Sequence, residues 1–379
     1  MIKLSNYNLV NFSNSFLKHY GVDTFHETIP ELDEVLKGHK KIVFMLFDGM
    51  GKAIIKRHLN EDSFIRKNYS FTMQSTFPPT TAAATTAVLT GKYPIETGWT
   101  AWSAYFKELD KNVILFLNVD YNTDEKLETK PVREILKYES ICDLINKKDP
   151  TNNAFLMQRY PIQFDGPKEL DDSYEKLTKA IKGVEKCFVY YYFDSPDKEM
   201  HEFGVDAPVV NKMCNDIDKF VERMVEENPD TLFITYADHG QVNVKYFDIC
   251  DYPKLTSMLR RPVCGEKRST QFFVKPEYVA EFKKMFLELY GNHFKLLSKQ
   301  EMLDQKIFGE GNPHPLFDDM LGDYIAISKD EYTLVASEQF KRLEYLKGTH
   351  AGFTEDEMLI DVSVYNKYWS ADRCFFFIK

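Results

Sequence analysis

Five short strings in this 379-residue chain bring carboxylates, imidazoles and a threonine into patterns suited to metal-assisted attack on an anionic ester. In FDGMG, Asp48 follows an apolar run directly, and in FPPTTAAATTAVLTG, Thr81 stands at the head of an alanine-rich stretch. DSPDKEMHEFG holds Asp197 and His201, YADHG holds Asp238 and His239, and KGTHAG holds His350. Asp197 and His201 are four apart, so one helical turn aims both side chains at one point. The adjacent Asp238 and His239 serve one ion only on irregular backbone, which Gly240 permits. Taken singly, each string reads equally well as a turn, a helix cap or a surface pair. Taken together, three of the nine histidines fall beside or opposite carboxylates in such places. Three carboxylates and three imidazoles make two mixed nitrogen–oxygen sites, a donor set that suits Zn2+ first and Mn2+ second. A threonine hydroxyl beside such a cation loses its proton readily and becomes a nucleophile.

The elements that must position these residues are legible as short apolar runs. Lys41 to Phe47 (KIVFMLF), Cys187 to Phe193 (CFVYYYF) and Thr231 to Tyr236 (TLFITY) lack polar alternation, as strands covered on both faces do. Between the last two, Val210, Met213, Ile217, Phe220 and Met224 step by three and four along a helix expected over 208–228, with Pro208 in its first turn. Strand, helix and strand at this spacing predict an α/β fold with a mostly parallel sheet between helices. Ligands of such sheets bind at the carboxyl ends of the strands, where four of the five strings lie. Ala82 to Leu89 reads as a short helix with Thr81 as its N-cap, and its exposed N–H groups favour an anion. The texture changes near residue 252. STQFFVK, HFKLLS and DYIAIS read as strands and EYVAEFKKMFLELY as an amphipathic helix. The expected organisation is a catalytic core of residues 1–251 and 347–379 with a small α+β cap, 252–346, inserted between its parts. The core would end on a strand over 358–365.

Composition limits the partners. Hydrophobic residues are 44% and the formal charge is −10, without a basic block, which argues against a nucleic-acid scaffold role or a membrane held by charge. A phosphorylated small molecule remains compatible, because bound cations dominate the local field of a metal site. The six cysteines form no CxxC pair and suggest neither a zinc ribbon nor a disulfide framework. No apolar run reaches bilayer length, and the first residues lack the pattern of a secretion signal, so a cytoplasmic location is expected.

The five strings, in this order, resemble the alkaline phosphatase superfamily, and within it the nucleotide pyrophosphatase/phosphodiesterase branch, from about Lys40 onward. That resemblance implies one metal on Asp197, His201 and His350, and another on Asp48, Asp238, His239 and the nucleophile oxygen. Its spacing to Thr90-Gly91 selects Thr81 as the nucleophile over its neighbour Thr80, and a threonine there argues against a sulfatase. The implied reaction is a double displacement on a phosphodiester or pyrophosphate through a phosphoryl-threonine. Phosphomonoester or phosphonate hydrolysis are the alternative chemistries of the scaffold, and a non-catalytic metal-stabilised binding module is a further alternative. The branch usually carries an asparagine twenty-one residues after the nucleophile, and this chain has Trp102. Trp99, Trp102 and Tyr105 are therefore candidate contacts for a flat or apolar substituent of the substrate.

Overall fold

The computed structural model describes residues 5–128, 131–158, 166–341 and 344–365. A six-stranded sheet runs in the order Tyr69–Gln74, Leu359–Tyr365, Leu232–Tyr236, Lys41–Phe47, Cys187–Phe193 and Ala154–Met157. The four strands from Leu232–Tyr236 to Ala154–Met157 are mutually parallel, and Leu359–Tyr365 runs antiparallel to both of its neighbours. All seven residues of Cys187–Phe193 are buried, as their unbroken apolar character requires of a strand covered on both sides. One cover is the Leu9–His19 helix, whose Phe12 and Phe16 rings lie 5.1 and 4.6 Å from Phe44. The opposite cover is the Pro208–Glu227 helix, whose Phe220 meets Phe47, three residues along the strand and so on its other face. That helix ends within a residue of its expected boundary, and its buried stripe includes Val210, Ile217, Phe220 and Met224.

A second sheet, of seven strands, stands beside the first. Its order is Phe294–Ser298, Tyr324–Ser328, Ser269–Phe272, Cys264–Gly265, Ser103–Phe106, Lys111–Ile114 and Val119–Asp120, with every pairing antiparallel. The Val279–Tyr290 helix packs Phe282 and Phe286 against Phe272 on one of its faces. The segment 252–346 supplies four of these strands, whereas the other three come from 103–120, inside the expected core. The joint is the pairing of Gly265 with Ser103, sealed by the Ser103 hydroxyl, which bonds both the carbonyl and the N–H of Gly265 at 3.1 Å. Five of the six cysteines are described and all five are free, while Cys374 lies outside the described residues. Among the described residues no helix is long and apolar enough to cross a membrane.

Candidate active site

Strand ends and glycine turns bring the expected residues together at the carboxyl edge of the parallel strands. Asp48 follows the central strand, and its N–H donates to Phe193 O at 2.9 Å, locking two strand ends side by side. Gly49 has φ +71°, and a Cβ there would lie 2.9 Å from Asp197 Cβ, so only glycine lets this turn close on Asp197. Asp197 opens the helix Asp197–Phe203, with its N–H on Asp48 O at 3.1 Å. One turn later, His201 places Nε2 3.1 Å from Asp197 Oδ2. Asp238 and His239 leave the Leu232–Tyr236 strand on irregular backbone, and Gly240 permits it: a Cβ there would sit 2.0 Å from Asp356 O. His350 follows the two-residue strand Gly348–Thr349, which pairs with Val242–Asn243.

Thr81 is the first residue of the helix Thr81–Thr90 rather than its N-cap, which is Thr80. The helix therefore begins one residue earlier than expected, and the Thr80 hydroxyl bonds the Glu266 carboxyl and not a helix N–H. Thr81 is thereby free of any capping duty. Its Oγ1 lies 3.2 Å from His239 Nε2 and 3.3 and 3.4 Å from the two carboxylate oxygens of Asp48.

The ligand atoms of Asp197, His201 and His350 lie within 4.8 Å of one another, and so do those of Asp48, Asp197 and His239. Asp197 belongs to both groups. Asp238 adjoins the second, with Oδ2 3.4 Å from His239 Nε2, while its Oδ1 is spent on the Gly49 and His239 N–H groups. The electrostatics call for a cation. Burial, then the charges of Asp238 and Asp197, push the Asp48 carboxyl well above the usual range, and burial also raises Asp238. Burial works the same way on Asp197, but His201 and His350 outweigh it and hold that carboxyl below the usual range. Burial and the neighbouring His239 keep His350 neutral, with a lone pair to give. Two buried carboxylate oxygens, Asp197 Oδ1 and Asp238 Oδ2, have no hydrogen-bond donor. Each imidazole has its Nδ1 on a backbone carbonyl: His201 on Gly348 at 2.8 Å, His239 on Gly240 at 3.1 Å and His350 on Pro79 at 3.1 Å. That arrangement puts the proton on Nδ1 of His239 and His350 and leaves their Nε2 lone pairs for the clusters, while Nδ1 of His201 also meets the Gln241 amide nitrogen at 2.9 Å. The residues present fit divalent cations.

The sequence profile of the type I phosphodiesterase/nucleotide pyrophosphatase family matches residues 42–353. The chain belongs to this family. A comparison with curated proteins returned no match. Among solved structures, murine ectonucleotide pyrophosphatase/phosphodiesterase 5 superposes with a TM-score of 0.63 at 15% identity, covering 86% of this chain and 88% of that one. An inactive variant of the murine protein in complex with AMP gives the same score at 14% identity and the same coverage. The human protein gives 0.60 at 15%, again over 86% and 88% of the two chains. At these identities the likeness establishes the fold alone.

In this phosphodiesterase-family chain the three expected aromatic residues separate. Tyr105 packs with Cys264 and Phe273, lies under the Arg261 guanidinium and bonds Asp110 through its hydroxyl. Trp99 donates its indole N–H to Leu136 O and lines a cavity of about 550 Å³ together with Leu115, Phe116, Leu136, Tyr138 and Leu156. Trp102 packs edge-on to Phe116. Ala82, next to Thr81, belongs to the same apolar cluster as Trp99 and Phe116.

Other supporting groups carry no motif of their own. The Tyr192 hydroxyl donates to Asp48, and only the position of Tyr192 one residue before the end of a buried strand hints at it. Arg268 and Glu357 form an ion pair with neither side chain exposed, at 2.6 and 2.9 Å. Glu357 also accepts from Gly352 N at 2.7 Å and from the Thr354 hydroxyl at 2.7 Å, and its backbone carbonyl accepts from Gly240 N. One residue thus braces both the His350 loop and the Asp238-His239 loop, with its charge answered from the second sheet. Arg268→Met should cost about 3–5 kcal/mol in denaturant unfolding, because it strands a buried carboxylate. Adding Glu357→Met should recover much of that stability, yet turnover should stay low, since the Gly352 tether is gone. Recovery of both together would reduce the pair to a stability role.

Proposed function

We propose that this chain is a divalent-metal phosphodiesterase or pyrophosphatase that works through Thr81, with Asp48, Asp197, His201, Asp238, His239 and His350 as the metal ligands. The observation that carries the reading is the convergence of Thr81 Oγ1 with Asp48 and His239 at 3.2–3.4 Å, at the N-terminal end of a buried helix. Two cations, zinc or manganese, would supply Lewis-acid stabilisation of the charge that develops on oxygen. Thr81 Oγ1 attacks phosphorus in line, its proton leaving toward the Asp48 carboxylate, and the ester oxygen departs from the opposite side. Water then cleaves the phosphoryl-threonine and frees the hydroxyl. The helix N-terminus contributes N–H groups and a partial positive charge toward the phosphoryl oxygens. The apolar cluster that includes Ala82, Trp99 and Phe116 is the proposed source of surface for the second substituent, which a diester has and a simple monoester lacks. AMP bound to the murine relative makes nucleotide esters the first substrates to assay. A cytoplasmic location, which cell fractionation would check, completes the proposal.

The test is parallel kinetics on bis-aryl and mono-aryl phosphates with elemental analysis of the same preparation. Two divalent ions per chain are expected, with activity abolished by chelation and restored by zinc or manganese. Diesters or pyrophosphates should be preferred by kcat/KM. A clear monoester preference would promote the phosphatase alternative. Absence of turnover on any phosphorus ester would leave the binding-module reading.

A further inference from the structure

Glu266 stands in the turn between the strands Cys264–Gly265 and Ser269–Phe272, where the second sheet reaches the nucleophile loop. The turn is held on several sides. Ser103 pins Gly265, Glu266 N donates to Ser269 O at 3.3 Å, and the Thr270 hydroxyl donates to Glu266 O at 2.9 Å. The side chain therefore has a fixed base. Its Oε1 accepts the Trp102 N–H at 2.5 Å, and the hydroxyl of Thr80, the residue before Thr81, bonds the same carboxyl. His201 and Lys267 lie within electrostatic reach. The Lys267 ammonium is held on the Glu344 backbone carbonyl at 2.6 Å, and burial lowers its pKa. The carboxyl thus adjoins the nucleophile on one side and the Asp197, His201, His350 cluster on another. Both of its hydrogen-bond partners are donors, so they stabilise negative charge at this place.

We propose that Glu266 is a specificity-determining residue, whose charge beside Thr81 selects singly charged phosphodiester groups against doubly charged monoester phosphates. The inference rests on the reading of Thr81 as the residue that receives the phosphorus ester. A diester brings one negative charge to the site, whereas a monoester above its second ionisation, near pH 6, brings about two. The additional charge meets Glu266 across a short path of low effective dielectric, and after screening the discrimination amounts to about tenfold. Nothing in this requires Glu266 to touch the transferred group. It acts through the field it adds to the site and through the place it holds next to Thr80.

Glu266→Gln tests this directly, because the amide oxygen still accepts from Trp102 N and the side chain keeps its size while the charge is removed. The measured quantity is the ratio of kcat/KM for a mono-aryl phosphate to that for the matching methyl aryl diester. The assay pH is set well above 7, since burial raises this carboxyl to about 7. The ratio should rise about tenfold in the variant, and the diester value should itself rise by up to a similar factor, because the diester also carries one negative charge. Because both values scale with the amount of active protein, the ratio is unaffected by partial misfolding. Glu266→Ala supplies a second arm. It should lower both activities by loosening Thr80 yet raise the ratio to the same extent. An unchanged ratio in both variants, or a parallel loss on both substrates, would overturn the assignment and leave Glu266 as a brace for the nucleophile loop. Failure of the underlying reading would show in the wild type instead, as absent turnover of either ester.

Discussion

Replacing Thr81 by alanine should lower phosphodiester turnover by at least about a thousandfold while leaving the fold and the bound metal almost unchanged. The separation of the two effects follows from where the residue sits. Thr80, not Thr81, occupies the N-cap, so alanine at 81 removes no cap and enters a helix position that alanine favours. What is lost is one hydroxyl, 3.2–3.4 Å from His239 and Asp48, and with it about 1 kcal/mol of stability. The helix backbone keeps its bond from the Thr85 hydroxyl to Thr81 O, and both metal clusters keep every carboxylate and imidazole. Circular dichroism, unfolding midpoint and metal content should therefore match wild type. Thr80→Ala should behave differently. It frees the Glu266 carboxyl from one partner and loosens the loop, so a moderate fall is expected and not a loss. Activity retained in Thr81→Ala but lost in Thr80→Ala would move the nucleophile by one residue, and activity retained in both would remove the covalent route.

The ease with which some parts of this molecule are read from its sequence, and others not, has a physical basis. The three strands that carry Asp48, Asp197 and Asp238 are buried on both faces, so their unbroken apolar runs announce them, and the helix opposite them shows its period because one face is wet. The motif residues at those strand ends converge because a parallel sheet aligns its carboxyl ends. The second sheet is another matter. Gly265 pairs with Ser103 across more than half the core, and a pairing of that kind leaves no local periodicity for either strand to display. The segment 252–346 therefore reads as one inserted unit in sequence, although its strands share a sheet with 103–120. Thr81 lies in the first turn with Thr80 as cap, and the Thr80 hydroxyl is bonded by Glu266, a residue far off in sequence and in the other sheet. Tyr105 looked like a substrate contact for its composition, yet its ring and hydroxyl are already satisfied by Arg261 and Asp110. Arg268 and Glu357 are likewise silent in sequence, since a buried ion pair has the same letters as a solvated one.

Asp197→Asn should have the widest effect of any single ligand change, because Asp197 is the residue common to both clusters. One oxygen lies 3.1 Å from His201 and the other 3.8 Å from His350, and the Asp48 and His239 group closes around the same carboxylate. Loss of a supporting hydrogen bond to a ligand typically costs 10–100-fold in metal affinity, so loss of a shared ligand charge should exceed about a hundredfold at both sites. Metal content should then fall from two ions toward none, and turnover with it. A change confined to one cluster, such as His350→Ala, should leave one ion bound. Stability supplies a second readout, and its size should depend on metal. With zinc or manganese present, wild type gains binding free energy that the variant lacks, so Asp197→Asn should melt lower. After chelation the gap should narrow to what the His201 and His350 contacts contribute, since these hold the Asp197 carboxyl below the usual range without any metal. The asparagine variant should then melt closer to wild type than it does with metal bound. Thermal unfolding of both proteins with and without chelator decides the matter. A variant that melts lower by the same amount under both conditions would show that Asp197 serves packing alone, and that the two clusters do not share a cation-binding carboxylate.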